Sequence, residues 1–113
     1  MHLHGHDMYI LQEGTGTTWD GTIVNPQNPQ RRDVHLMPPN SYTVWQINST
    51  NPGVWPYHCH IAWHTSGGLY MNILEQPLDV QLSLPIPLIM PQTCIDWDTF
   101  SNSNSVDDID SGV

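Results

Sequence analysis

Residues 54–64 read Val54-Trp55-Pro56-Tyr57-His58-Cys59-His60-Ile61-Ala62-Trp63-His64, a β-favouring run that carries three imidazoles and a thiol. An extended chain sends successive side chains to opposite faces, so His58 and His60 share one side and Cys59 faces the other. At a rise of about 3.3 Å per residue the two imidazoles stand about 7 Å apart at their Cα atoms, which suits two neighbouring metals better than chelation of one. The thiolate of Cys59 is turned toward a separate site. Only a short stretch of backbone divides it from the flanking imidazoles, a covalent route for an electron. His64 returns after Ile61-Ala62-Trp63 and can meet the thiolate. Two imidazoles and one thiolate with a weak axial neighbour are the ligand set of blue copper, and the second imidazole must come from elsewhere. The axial position on this loop falls at Leu69, which has no donor atom; Met71 is the rival candidate.

The same alternation recurs at His2-Leu3-His4, where both imidazoles share a face and Leu3 points away. A single pair of this kind also occurs among hydrogen-bonded core residues, but here six of seven His lie in the segments 2–6 and 58–64. Clustering at that density points to metal. Zinc hydrolysis fits less well, because the metallo-β-lactamase type of motif places an Asp before its third His, whereas His6 precedes Asp7.

Outward from these motifs, 113 residues hold one ordinary domain at most. Only 2 Lys and Arg stand against 11 Asp and Glu, so the clustered basic surface that nucleic acid requires is missing. No apolar run approaches the roughly 20 residues of a membrane span. The segment His2–Gln12 reads as a strand interrupted at Gly5, and 13–33, rich in Gly, Asn and Pro, as a long loop. Tyr42–Ile47 and Val54–Ile61 read as two strands joined through Asn51-Pro52-Gly53 and paired as neighbours. Tyr70–Glu75 is a further strand after the Gly67-Gly68 break. Prolines 77, 85, 87 and 91 mark 77–91 as an extended connector. The sum is all-β: a partial Greek-key β-sandwich or barrel with long loops, short of the strands a closed one uses.

His2-Leu3-His4-Gly5-His6-Asp7 together with residues 58–69, HCHIAWHTSGGL, resembles the two C-terminal copper motifs of multicopper oxidases, with the wording HCHIAWH closest to ascomycete laccases. Residues 28–34 (NPQRRDV), 51–55 (NPGVW) and 110–113 (DSGV) extend the resemblance. It implies that residues 1–91 form the C-terminal part of a plastocyanin-like, or cupredoxin, third domain and 92–113 its tail. It implies copper at three kinds of site: His2 at type 2, His4, His58 and His60 at type 3, and Cys59 with His64 at type 1, Leu69 being axial and uncoordinated. Cys59, His58 and His60 would then carry the electrons. Phenolic substrates give them one at a time, and dioxygen is reduced to water. His6 falls outside the ligand pattern and is expected to make a hydrogen bond behind the ligands; His35 is expected in a surface or loop role.

The resemblance also marks what is missing. The family's third motif opens with a His-Pro one residue before Met1, and its first domain supplies half of the cluster's imidazoles. The reading is therefore a laccase fragment whose N-terminal domains lie elsewhere in the parent chain, and the 113 residues alone are expected to be inactive. Cys94 resembles the cysteine that bridges the third domain to the first, and the Val113 carboxylate is expected to plug the channel to the cluster. Asn48-Ser49-Thr50 fits a glycosylation acceptor and hence an extracellular, secreted protein. A stand-alone blue-copper carrier, an ascorbate oxidase and a ferroxidase are the competing readings; the absent His and the non-ligating Leu69 weigh against the first two.

Overall fold

The structure is a computed structural model that describes residues 1–104. The 110–113 ending and the plug expected of Val113 lie outside the described residues. Six strands form two antiparallel three-stranded sheets. In the first, β5 (Gly53–His58) is central, flanked by β1 (His2–Leu3) and β6 (Tyr70–Glu75). In the second, β2 (Met8–Thr15) lies between β3 (Gln30–Arg32) and β4 (Ser41–Gln46).

The expected pairing of the strands at 42–47 and 54–61 is therefore corrected. β4 pairs with β2 and β5 with β6, so the 47–52 connection carries the chain from one sheet to the other. The two strands still meet, but through side chains: Trp45 and Tyr57 have ring centroids 5.3 Å apart. Between the sheets lie Leu3, Met8 and Ile10, packed by Trp45, Ile47, Trp55, Tyr57 and Ile73. Alternation along β1, β5 and β6 sends Leu3, Trp55, Tyr57 and Ile73 into this core and His2 and His58 to the opposite face.

Two further differences concern the loops. β3 is a short strand within the expected 13–33 loop, paired on the edge of β2, with the Arg31 guanidinium 5.0 Å from the Tyr9 ring centre. The stretch 77–91 is largely helical: α2 covers Pro77–Ser83 and α3 Ile89–Ser103, with α1 at Ala62–Ser66. Pro77 opens α2 and Pro91 sits in the first turn of α3, where backbone N–H groups have no intrahelical partner to lose. α3 runs continuously through the 91/92 junction and carries Cys94, which is exposed and unpaired. No helix among the described residues is long and apolar enough to cross a membrane.

The turn leaving β1 depends on Gly5. Its φ is +71°, and a Cβ there would sit 2.5 Å from the Trp55 indole. Gly16 has a similar φ of +89° but open space around it. Gly5→Ala is expected to destabilise by about 1–3 kcal/mol for the backbone strain plus the clash, and Gly16→Ala by the strain alone. Denaturant unfolding of the two variants checks the ordering.

Candidate metal centre

β1 and β5 pair with His2 opposite His58 and Leu3 opposite Tyr57. Past the end of β1 the His4 N–H donates to the Pro56 carbonyl at 2.9 Å, which keeps His4 alongside β5. Three imidazoles are thereby gathered: ligand nitrogens of His2, His4 and His58 lie within 4.8 Å of one another. Nε2 of His4 and Nε2 of His58 are 3.1 Å apart. His60 stands at the rim, its ring centre 5.6 Å from that of His2 and 5.7 Å from that of His58.

Two backbone carbonyls fix which nitrogen each ring presents. His2 Nδ1–H donates to the Asp33 carbonyl at 2.9 Å, and His58 Nδ1–H to the Cys59 carbonyl at 2.9 Å. A carbonyl only accepts, so Nε2 is the nitrogen that His2 and His58 turn toward the cluster, and that of His58 accepts from His4 Nε2–H at 3.1 Å. Burial, together with the neighbouring His2, His58 and His60 rings, lowers the pKa of His4. An all-imidazole set, two of its rings braced from behind by backbone carbonyls, fits copper.

β5 ends at His58; Cys59 is buried, lies outside the group of His2, His4 and His58, and lines a different cavity that His60 also edges. Its Sγ lies 3.4 Å from Nδ1 of His64, which the short helix α1 returns to it. The Cys59 N–H donates to the Leu69 carbonyl at 3.1 Å, and the Thr65 hydroxyl donates to the Cys59 carbonyl. Cys59, His64 and Leu69 line a cavity of about 550 Å³ together with Met1, Leu36 and Met37. Met71, the rival axial candidate, is absent from that lining and pairs with Tyr57 along β6. One thiolate, one imidazole and an adjoining void edged by Met1 fit a copper that needs one more imidazole.

His6 makes the expected hydrogen bond behind the ligands, Nδ1–H donating to the His4 carbonyl at 3.1 Å. Its Nε2 meets Glu75 at 2.6 Å, a partner that the sequence reading missed. Asp33, Thr65 and Tyr70 were missed as well; Tyr70 stacks on His58 with centroids 5.8 Å apart. Asp33 holds the site through its backbone carbonyl, for which the sequence carries no side-chain signal; the Thr65 hydroxyl and the Tyr70 ring are legible only once α1 and the β5–β6 register are known. His35 takes a loop position, paired with Glu13 at 2.9 Å, and also lines the Cys59 cavity.

The sequence profile of the multicopper oxidase family matches residues 1–79. The chain belongs to the multicopper oxidase family. It is 41% identical to the oxidoreductase OpS5 of Beauveria bassiana over 91% of its own length, and 36% identical to laccase-2 of Botryotinia fuckeliana over its whole length. These cover 18% and 20% of the two relatives, so the chain spans about a fifth of their length. The crystal structure of a laccase from Botrytis aclada superimposes with a TM-score of 0.71 at 34% identity, covering 99% of this chain and 21% of that one. The all-β, cupredoxin-like fold and the copper of a multicopper oxidase agree with the sequence reading.

Glu75 ties this site to pH. Burial pushes its carboxyl up, but the Asn51 N–H, Ser49 and the adjacent His6 outweigh burial and hold it below its ordinary 4.5. A carboxyl lowered on folding stabilises the fold above its unfolded value and loses that contribution as pH falls through the folded one. The drop in melting temperature between about pH 6 and pH 3 is therefore expected to be smaller in Glu75→Gln than in the wild type. Parallel thermal melts across that range check it.

Proposed function

We propose that this chain is the C-terminal part of a secreted laccase, a copper oxidase that takes electrons from phenolic substrates and reduces dioxygen to water. One observation carries the reading. Cys59 Sγ with His64, and the imidazoles of His2, His4 and His58, form two separate groups joined by the single peptide between His58 and Cys59. Copper held there supplies one-electron oxidation on the thiolate side and oxygen reduction on the imidazole side. His2 is assigned to the type 2 position, His4, His58 and His60 to the type 3 pair, and Cys59 with His64 to type 1.

Each remaining role belongs to the protein. Leu69 lines the Cys59 cavity and offers no side-chain donor atom, so a copper held by Cys59 and His64 would keep a high potential. The Cys59 cavity receives the phenol against His64, and its described lining carries no carboxylate, which favours a phenol over a metal cation as electron donor. The second type 1 imidazole and the other half of the cluster come from the rest of a longer chain, in keeping with relatives about five times as long.

Cys59→Ser in the full-length oxidase is expected to abolish the absorption near about 600 nm that belongs to a copper–thiolate site. Phenol-driven oxygen uptake should fall by more than about 100-fold, beyond what loss of a residue behind the ligands causes. The 113-residue chain with copper alone should consume no oxygen. Uptake by that chain, or a blue Cys59→Ser variant, overturns the proposal. Secretion rests on Asn48-Ser49-Thr50, whose Asn48 is exposed after β4. Enzymatic deglycosylation of the secreted protein should lower the mass of the peptide holding Asn48, and an unmodified Asn48 removes that support.

A further inference from the structure

His6 and Glu75 are buried, with 6% and 3% of their side chains exposed, and no ligand role uses them. Among the described residues His6 Nε2 and Glu75 Oε2 have no polar partner except each other, at 2.6 Å. Burial of such a pair is weak evidence for a stabilising role, because desolvation offsets much of the attraction. Its connections point elsewhere. The other Glu75 oxygen accepts the Asn51 N–H at 2.8 Å, and the Asn51 side-chain amide donates to the Gly5 carbonyl at 2.9 Å. His6 Nδ1–H donates to the His4 carbonyl at 3.1 Å. A ring of hydrogen bonds thus closes from one carbonyl beside the left-handed Gly5 to the next, passing through Asn51, Glu75 and His6. The Asn51 carbonyl in turn accepts the Trp55 indole N–H at 2.8 Å, which fastens the ring to β5.

His4 needs such a fastening. The β1–β5 ladder stops at Leu3, so beyond it only the bond from the His4 N–H to Pro56 holds this ligand on the amide side. On the carbonyl side the next residue is a glycine, the freest hinge a chain can have. We propose that His6 and Glu75 are positioning residues: a buried clamp that fixes the His4 carbonyl and so sets the His2–His4 imidazole pair against His58 for copper. The clamp rests on the copper-oxidase reading. It acts on the cluster and leaves the thiolate site alone, since Cys59 and His64 take no part in the ring and are held by Leu69 and Thr65.

The test uses the full-length copper-loaded oxidase and three variants, read by copper titration against a competing chelator, by the EPR hyperfine splitting of the copper at His2, and by the blue absorption as an internal control. His6→Gln keeps an amide donor for Glu75 but gives up the His4 carbonyl. Glu75→Leu removes the clamp. Glu75→Gln can rebuild the ring, its oxygen accepting from Asn51 and its amide donating to His6 Nε2. His6→Gln and Glu75→Leu are expected to weaken cluster copper by about 10-fold or more and to shift the EPR splitting with the blue band intact, while Glu75→Gln stays within about threefold of wild type. If Glu75→Leu does not fold, His6→Gln decides, because it leaves no buried carboxylate unpaired. The clamp is overturned by a His6→Gln protein with wild-type affinity and splitting, by blue and cluster copper falling in step, or by Glu75→Gln failing as badly as Glu75→Leu. A wild-type protein that loads no cluster copper overturns instead the reading beneath it.

Discussion

The ladder between β1 and β5 is two residue pairs long, and the rest of the site depends on it. His2 opposite His58 and Leu3 opposite Tyr57 put imidazoles on one face of the sheet and apolar side chains on the other. Leu3, with no exposed surface, is the plug of the core, and it stands between two ligands in sequence. A slip of one residue would exchange the faces, burying imidazoles and exposing Leu3. The hydrophobic register and the metal register are therefore one constraint. The burial of Leu3, Met8 and Ile10 between the sheets holds His2 and His4 in place together with the backbone bonds that tie residues 1–3 to Asp33 and His35 on the other side of β1.

What the core supplies in position, the backbone carbonyls supply in orientation. Asp33 and Cys59 each take one ring N–H and leave the other nitrogen bare, so the tautomer is chosen before any metal arrives. The lowered pKa of His4 follows from burial first and then from the neighbouring imidazoles.

The alternating faces of His58-Cys59-His60 and of His2-Leu3-His4 were legible because they follow from local geometry that any extended chain obeys. The return of His64 was legible as a spacing, although it is made by the short helix α1. Pairing was not legible. Nothing local in 47–52 tells whether the chain folds back as a hairpin or crosses to the other sheet, and the outcome is set by the packing of Trp45 on Tyr57 from opposite sides. The helices after residue 76 were hidden by prolines, which break a helix in its interior but are harmless in its first turn, where Pro77 and Pro91 sit. Glu75 looked like the end of a strand; its partner His6 lies at the other end of the sequence, and only the fold brings the two together.

The peptide of Cys59 is where the two halves of the site are joined, and it is held on every side. Its N–H is bound by the Leu69 carbonyl, and its own carbonyl accepts from both the Thr65 hydroxyl and the His58 ring. The last of these bonds adds something that alternation alone does not provide. From the sulfur, one path to the imidazole face runs through the chain to His58 or His60; a second leaves through the Cys59 carbonyl and crosses the 2.9 Å hydrogen bond into the His58 ring. With copper held as proposed, the same bond that orients the His58 ring would couple it to the Cys59 sulfur. Orientation of the ligand and the route between the sites are fixed by one donor and one acceptor. Thr65 reinforces that acceptor from α1, the helix that also delivers His64 to the sulfur.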